Sequence, residues 1–280
     1  MSLKDYKAII DECASSLFQV ALGGHGDPNK HELFGEILKY TRSKNIIPNY
    51  TTSGINLTEE EINLTKKFCG AVAVSHQRAK HTGEAIRSFI EAGVKTNIHY
   101  VLGEHTIDEA IDRLQTNNWP EGINAIVFLL YKPVGLGRED RILRNKEKIS
   151  KLFSIIDDHS GSYKIGFDSC SIPMLIQNAH KINLNSVDTC EGARYSMYVT
   201  ADMLALPCSF DQEYKWAFNL KNHTIEEAWN SPQFNEFRNH FVNSCPSCPN
   251  RFMCLGGCPI KNNIVICEMQ ERKTHARINH

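Results

Sequence analysis

Short apolar runs alternate with stretches of helical periodicity along the first half of this chain. Apolar runs bounded by turn residues predict five strands, at residues 18–22, 46–50, 71–74, 96–102 and 123–131. Helical periodicity predicts helices at residues 31–43, 81–92, 106–114 and 146–156, and Thr58 with Glu61 forms the capping box of one more. This regular alternation is typical of a parallel sheet with crossover helices, so we expect an α/β fold.

Each predicted strand is followed by a polar or glycine-rich turn. The first turn contains Gly23, Gly24, Gly26, Asp27 and Pro28, and the others cover residues 51–54, 75–78, 103–105 and 132–138. In parallel sheets and barrels, ligands bind at the carboxyl ends of the strands, so these turns suit a ligand-binding rim. The alternative is that such turns are polar and glycine-rich in any fold of this kind.

The first helix of the chain has no strand before it. Residues 3–17 have an apolar face built by Leu3, Tyr6, Ile10, Cys13 and Leu17. In an α/β fold such a helix normally follows a strand, and without that strand residues 18–22 would form an unprotected apolar edge. We therefore expect an N-terminal strand and its loop to be missing from this chain. The alternative is that the helix itself packs over the edge.

Composition and charge limit the possible functions. Of 280 residues, 41% are hydrophobic, which is enough for a buried core. The formal net charge of −1 argues against general binding to nucleic acids or anionic membranes. The longest apolar stretch, 125–131, is too short to span a bilayer, and the N-terminus lacks a secretory signal, so we expect a cytoplasmic protein. In that reducing setting, ten cysteines argue for metal or redox chemistry over disulfides.

The cysteines are concentrated near the C-terminus. In the first half there are only Cys13 and Cys69, each among the apolar residues of a helix face, and we expect both in the core. The other eight follow residue 160. This shift predicts a domain boundary in the polar stretch 157–162, which divides the chain into residues 1–160 and 161–280.

One run of cysteines has the spacing C-x2-C-x5-C-x3-C and is followed by one more; its members are Cys245, Cys248, Cys254, Cys258 and then Cys267. Such spacing lets one loop direct several sulfurs to one centre, and Gly256 and Gly257 permit a close backbone approach. The pattern therefore indicates metal–thiolate coordination. Spacing alone leaves zinc and iron–sulfur clusters both open, because each takes four thiolates. The eight C-terminal cysteines make two complete sets of four.

Other motifs accompany these cysteines. Residues 201–208 read Ala-Asp-Met-Leu-Ala-Leu-Pro-Cys, and a helical stretch at 224–231 precedes the C-x2-C-x5-C-x3-C run. With these motifs, the segment from Cys190 to Cys267 resembles a SPASM domain, the auxiliary-cluster module of many radical S-adenosylmethionine (SAM) enzymes. The segment departs from that family in two places. Met203 replaces a glycine upstream of Cys208, and Cys267 lies closer to the run than the usual final cysteine.

The first half is similar to the partial barrel of radical SAM enzymes. The turn at 23–28 stands where that family has a Gly-Gly-Glu-Pro-like motif, with Asp27 in place of the glutamate. The resemblance implies that SAM is bound by Gly23, Gly24, Gly26, Asp27, Pro28, Ser53 and Ser75. The family binds its catalytic cluster through Cys-x3-Cys-x2-Cys after the first strand, and no such motif occurs in this sequence. That agrees with the expected absence of an N-terminal strand.

The resemblance also implies the ligands of two auxiliary [4Fe-4S] clusters. The first would be held by Cys190, Cys208 and Cys258, and the second by Cys245, Cys248, Cys254 and Cys267. Cys170, in the sequence Gly166-Phe-Asp-Ser-Cys170, is our candidate for the fourth ligand of the first cluster. The alternative for Cys170 is a buried structural thiol. His25 and His76 could reach the SAM pocket, but we assign no catalytic role to either.

The sequence thus predicts a partial parallel β/α barrel of the radical SAM type followed by a small Cys-rich α+β SPASM domain. The resemblance implies a maturase that abstracts hydrogen from a ribosomal peptide and forms thioether or related crosslinks. It also implies a small electron donor such as flavodoxin or ferredoxin. The alternative is a non-catalytic metal-binding or electron-transfer module, with iron–sulfur clusters or structural zinc. The missing Cys-x3-Cys-x2-Cys motif favours this alternative for the chain as it stands.

Overall fold

The computed structural model describes the chain except residues 25, 77–78, 184–185, 244, 246, 265 and 268–280 and the side chains of 242 and 243. Within these residues, six parallel strands form one sheet in which each strand pairs with the next in the sequence. They are β1 (Gln19–Leu22), β2 (Ile47–Thr52), β3 (Val72–Ser75), β4 (Thr96–Leu102), β5 (Ala125–Leu130) and β6 (Lys164–Phe167). The α/β class predicted from the sequence is confirmed, with a sixth strand beyond the five expected.

The helices of the first half alternate with these strands. They are α1 (Leu3–Cys13), α2 (Phe34–Ser43), α3 (Glu59–Phe68), α4 (Lys80–Glu91), α5 (Ile107–Gln115) and α6 (Lys146–Asp157). Right-handed crossovers that always step in the same direction place their helices on one face of a sheet. The other face of the sheet then becomes the inner face of the partial barrel. No helix in the described part of the chain has the length and apolar character to cross a membrane.

The alternating burial of side chains along β4 distinguishes the two faces of the sheet. Ile98, Tyr100 and Leu102 are 0% exposed and belong to the main core beneath the helices. Val101, which alternates with them, is 45% exposed. His99 lies on the same face as Val101, and its Nδ1 is 3.4 Å from the Thr51 Oγ1 of β2. That face is therefore the inner surface of the partial barrel.

The loop after β1 is tied to the start of α3. The predicted capping box is present: Glu61 N–H donates to Thr58 Oγ1 (3.2 Å), and Thr58 N–H donates to Glu61 Oε2 (2.7 Å). Lys30, at the end of the loop, places its Nζ 2.8 Å from Glu61 Oε1. This arrangement fixes the loop that carries Asp27 next to the end of β2.

α1 packs against the helical layer and reaches the C-terminal half. The Tyr6 hydroxyl lies 2.6 Å from Thr41 Oγ1 of α2. Glu12 accepts a hydrogen bond from Ile225 N–H (2.7 Å). Phe18, just before β1, stays 88% exposed, so α1 does not cover this part of the sheet edge.

The C-terminal part contains a second, antiparallel sheet and short helices. The strands are β7 (Tyr198–Val199), β8 (Leu204–Leu206) and β9 (Phe218–Asn219), and the helices are α7 (Ile172–Asn178), α8 (Ile225–Trp229), α9 (Pro232–Asn243) and α10 (Arg251–Cys254). A second core gathers around Trp216, Phe234 and Phe237. However, β6 and α7 lie beyond residue 160 and pack into the main core. The main core thus includes residues on both sides of the predicted boundary, and the division at 160/161 stays a prediction.

Candidate functional site

The turn after β1 is joined to the end of β2 through Asp27. Its carboxylate accepts hydrogen bonds from the Ser53 N–H (2.8 Å) and from the Ser53 hydroxyl (2.5 Å). The space beside Gly23, Gly24 and Gly26 is open, since a β-carbon at any of them would meet no atom within 4 Å. The rim therefore combines accessible backbone with an anchored carboxylate, which suits a small ligand that carries a cationic group.

Ser75 and His99 lie side by side where β3 pairs with β4. Burial lowers the pKa of His99, against a weaker opposing effect of Asp168, and so favours the neutral imidazole. His99 was not among the residues predicted from the sequence. The alternation of β4 could have revealed it, because Ile98 and Tyr100 occupy the core face and leave His99 to the inner face.

His76, which was considered from the sequence, lies away from this surface. His76 stacks on the ring of Tyr100, with the ring centroids 5.3 Å apart, and its Nε2 is 3.4 Å from Glu109 Oε1. Since Tyr100 points into the core under the helices, His76 faces away from the inner surface. His25 lies outside the described residues, as do residues 77 and 78 of the third turn.

Cys170 and Cys258 come from distant parts of the sequence and meet in the structure. Cys170 lies in the turn directly after β6, and Cys258 follows the Gly256-Gly257 turn. A hydrogen bond from the Cys170 thiol lowers the pKa of Cys258, and the Lys261 N–H, 3.3 Å from its sulfur, adds to this effect. The same hydrogen bond, together with burial, raises the pKa of Cys170.

Cys190 and Cys208 complete what we call the first thiol group, which consists of Cys170, Cys190, Cys208 and Cys258. Burial raises the pKa of Cys190, and burial with the charges of Cys190 and Cys258 raises that of Cys208 to about 11. All four thiols line one small cavity with apolar walls. Two of them pack against the main core and two against the second core, so the cavity lies between the two cores.

The other four cysteines form a second thiol group, which consists of Cys245, Cys248, Cys254 and Cys267. Burial raises the pKa of Cys254, and the charges of the other three thiols add to the shift. Cys254 also lines the cavity of the first thiol group, so the two groups are adjacent. The turn after Cys254 has three successive residues with positive φ: Leu255, Gly256 and Gly257. This left-handed turn separates Cys254 from Cys258.

The two cysteines of the first half belong to neither group. Cys69 packs against the main core, and burial raises its pKa to about 12. Cys13 is half-buried on α1, and burial raises its pKa as well. In the described ranges, no three or more Cys, His, Asp or Glu side chains are close enough to surround a single metal ion.

A buried cation lies beside the first thiol group. The Lys132 side chain is 4% exposed, and its Nζ donates hydrogen bonds to Asp168 Oδ2 (2.7 Å) and to the Leu130 carbonyl (3.0 Å). No local pattern indicated this contact, since Lys132 was only one residue of a predicted rim loop.

The C-terminal region matches one known domain family. Residues 190–249 match the family model of the SPASM domain, an iron–sulfur cluster-binding domain. The SPASM match supports the resemblance stated from the sequence for the C-terminal region, and the sheet and helices confirm the expected α/β fold.

Solved structures with this fold cover almost the whole chain. SuiB of Streptococcus suis bound to S-adenosylmethionine has a TM-score of 0.69 at 15% identity and is matched over 95% of this chain and 69% of its own. The enzyme anSMEcpe with bound AdoMet and Kp18Cys peptide has a TM-score of 0.66 at 16% identity, over 92% of this chain and 81% of its own. SuiB bound to its precursor peptide SuiA has a TM-score of 0.66 at 16% identity, over 92% and 65%. At these identities the likeness shows the fold.

Proposed function

We propose that this protein is a radical SAM/SPASM peptide maturase whose C-terminal part holds two auxiliary [4Fe-4S] clusters. The first thiol group would bind one cluster, with Cys170 as its fourth ligand, and the second thiol group would bind the other. The observation that supports this is the gathering of eight cysteines into two adjacent groups of four, because each such cluster takes four cysteines. Apolar walls around the first group suit a cluster shielded from water.

The rim at the carboxyl ends of β1 to β3 would bind SAM. The residues proposed are Gly23, Gly24, Gly26, Asp27, Pro28, Ser53 and Ser75. The two hydrogen bonds from Ser53 hold the Asp27 carboxylate in place, where it can receive the ammonium of the methionine moiety. The chemistry that bound SAM supplies in this class is hydrogen abstraction by a 5′-deoxyadenosyl radical.

The proposed substrate is a ribosomal peptide, in which the enzyme would form a thioether or related crosslink. The similar structures of SuiB and anSMEcpe contain bound peptides, which supports this substrate class. A cytoplasmic flavodoxin or ferredoxin would supply the electrons. One observation favours a second function, a non-catalytic metal-binding or electron-transfer module: this sequence contains no Cys-x3-Cys-x2-Cys motif.

Metal analysis tests the proposed clusters. Chain purified anaerobically is expected to contain about eight iron atoms and about eight sulfides, because two clusters take four of each. Cys170→Ala should lose roughly half of the iron, since it removes one ligand of one cluster. Cys69→Ala, which removes a cysteine outside both groups, should keep the full content. A colourless protein with zinc, or equal iron in the wild type and Cys170→Ala, would contradict the assignment.

SAM binding tests the rim independently of the clusters. Asp27→Ala should weaken SAM binding in equilibrium dialysis at least tenfold, because it removes the carboxylate that would pair with the ligand ammonium. Glu32→Gln, an exposed carboxylate in the same loop region, is the matched control and should bind SAM as the wild type does. Equal SAM affinity of Asp27→Ala and the wild type would place SAM elsewhere or support the non-catalytic module.

A further inference from the structure

The ion pair between Lys132 and Asp168 has no part in the function proposed so far. Lys132 follows β5 and Asp168 follows β6, so the pairing of these two strands brings the side chains together. Only 4% of the Lys132 side chain and 18% of the Asp168 side chain are exposed. Because desolvation offsets much of the attraction in a buried ion pair, stability alone does not account for it.

The ammonium group of Lys132 is held from three sides. Asp168 Oδ2 is 2.7 Å from Nζ, the Leu130 carbonyl oxygen is 3.0 Å away, and the ring centroid of Phe210 is 4.5 Å away. Asp168 is itself fixed by a hydrogen bond from the Ser171 hydroxyl (2.7 Å). Phe210 lines the cavity of the first thiol group. The positive charge is therefore fixed at the wall of that cavity.

The charge of Lys132 acts directly on the first thiol group. It interacts electrostatically with Cys170, Cys208 and Cys258, which are three of the four members. Asp168 opposes this effect at Cys170, but its influence there is smaller than that of Lys132. The ammonium group also contacts Phe210 at the wall of the cavity that the four thiols line, so the positive charge of the pair lies next to this group.

We propose that Lys132 raises the reduction potential of the cluster held by the first thiol group, with Asp168 as a positioning residue. This inference rests on the proposed function. When a [4Fe-4S] cluster accepts one electron from a donor such as ferredoxin, its net charge becomes more negative by one. A fixed cation stabilises the reduced form more than the oxidised form. The apolar walls of the cavity, which include Phe237 and Ile260, leave this interaction less screened than in water.

Dye-mediated redox titration followed by electron paramagnetic resonance tests this proposal. The signal that disappears in Cys208→Ala is assigned to the first cluster. Lys132→Met keeps the length of the side chain and removes its charge, so we expect the reduction equilibrium of that cluster to shift at least about tenfold toward the oxidised form. This shift corresponds to about 59 mV for one electron. Asp168→Asn keeps a side-chain oxygen that can accept the hydrogen bond from Lys132 Nζ, so the ammonium stays in place. Because the compensating negative charge is lost, the potential should shift in the opposite direction.

Two controls separate the charge from other effects. Lys132→Arg keeps the charge and should stay within a few-fold of the wild type. Lys148→Met removes a lysine of α6 that is ion-paired with Asp108 of α5 (2.7 Å) and should leave both clusters unchanged. The second cluster is an internal reference in every variant.

The outcomes distinguish this inference from the proposed function. A wild-type chain without iron and sulfide would overturn the proposed function and the inference with it. The inference alone would be overturned if Lys132→Met has full iron content and the reduction potential of its first cluster equals or exceeds that of the wild type. If Lys132→Met fails to hold the first cluster, Asp168→Asn decides: a raised potential supports the proposal, and an unchanged or lowered potential overturns it.

Discussion

Met203 holds a strained conformation in the hairpin that leads to Cys208. Its N–H donates to the Thr200 carbonyl (3.1 Å), and Thr200 N–H donates to the Leu204 carbonyl (2.9 Å), which closes the turn between β7 and β8. Met203 has a φ of 66°, in the left-handed region that residues with a β-carbon avoid. In the SPASM pattern that this segment resembles, a glycine occupies this position. This chain therefore forms the same turn with a methionine, although glycine adopts a positive φ at lower cost.

Two substitutions isolate the strain. Met203→Gly and Met203→Ala both remove a side chain that packs against the second core, but only alanine keeps the β-carbon. A β-carbon in the left-handed region costs roughly 1–2 kcal/mol, whereas glycine loses roughly 0.5–1 kcal/mol more backbone entropy on folding. The hairpin should therefore be more stable in Met203→Gly than in Met203→Ala by about 1 kcal/mol. This difference corresponds to about a fivefold change in the equilibrium constant for local opening.

Amide hydrogen exchange measures this local opening without unfolding the whole protein. We expect the hairpin at residues 196–208 to exchange about fivefold more slowly in Met203→Gly than in Met203→Ala. Ala14→Gly is the matched control: Ala14 is exposed with a φ of −58°, so glycine brings no relief there and should speed local exchange. Equal exchange in the two Met203 variants, or slower exchange in Met203→Ala, would refute the strain argument.

Two further predictions concern the rim and the loop that supports it. Gly54 and Gly93 both have positive φ, but a β-carbon at Gly54 would lie 2.4 Å from the β-carbon of Ala85, whereas one at Gly93 would meet no atom within 4 Å. Gly93→Ala should therefore cost about 1 kcal/mol and Gly54→Ala clearly more in thermal unfolding, and equal costs would contradict the clash. Burial acts to raise the pKa of Glu61, but the hydrogen bonds from Lys30 and the Thr58 N–H outweigh it and lower the pKa. A lowered carboxyl pKa stabilises the fold above the unfolded-state pKa, and this contribution is lost as the pH falls through the folded-state value. Glu61→Gln should thus lower the thermal midpoint at neutral pH and have little effect near about pH 3, and an equal loss at both would exclude the ionised contact as the cause.

Local patterns predicted much of the fold. The strand predicted at residues 96–102 has the bounds of β4, and the capping box of Thr58 is formed, because both depend on residues close in sequence. The sixth strand was missed because Lys164–Phe167 has four residues and includes Gly166, too few to establish an alternation. The helix predicted from residue 31 begins at Phe34, because Pro28–Lys30 forms a separate 3-10 turn.

In the candidate site, too, the features that depend on local sequence were predicted and those that depend on long-range contacts were not. The run of Cys245, Cys248, Cys254 and Cys258 was found from its spacing, because these cysteines lie within one short segment. The division of the cysteines into two groups came from the resemblance and stays a prediction. Lys132 and His99 were missed because their surroundings depend on which strands are neighbours and which face each side chain takes. Those are long-range properties, set by the pairing of β5 with β6 and of β3 with β4.

Cys170 connects the first thiol group to the parallel sheet. Cys170 follows β6 directly, at the same edge of the sheet as the rim that carries Asp27, whereas Cys190 and Cys208 pack against the second core. A cluster held by these cysteines would therefore join the barrel to the C-terminal region. The second thiol group draws no residue from the sheet. If one of the two clusters exchanges electrons with a ligand bound at the rim, the cluster of the first thiol group is better placed for it than the cluster of the second. The first thiol group is also the one that interacts with the charge of Lys132.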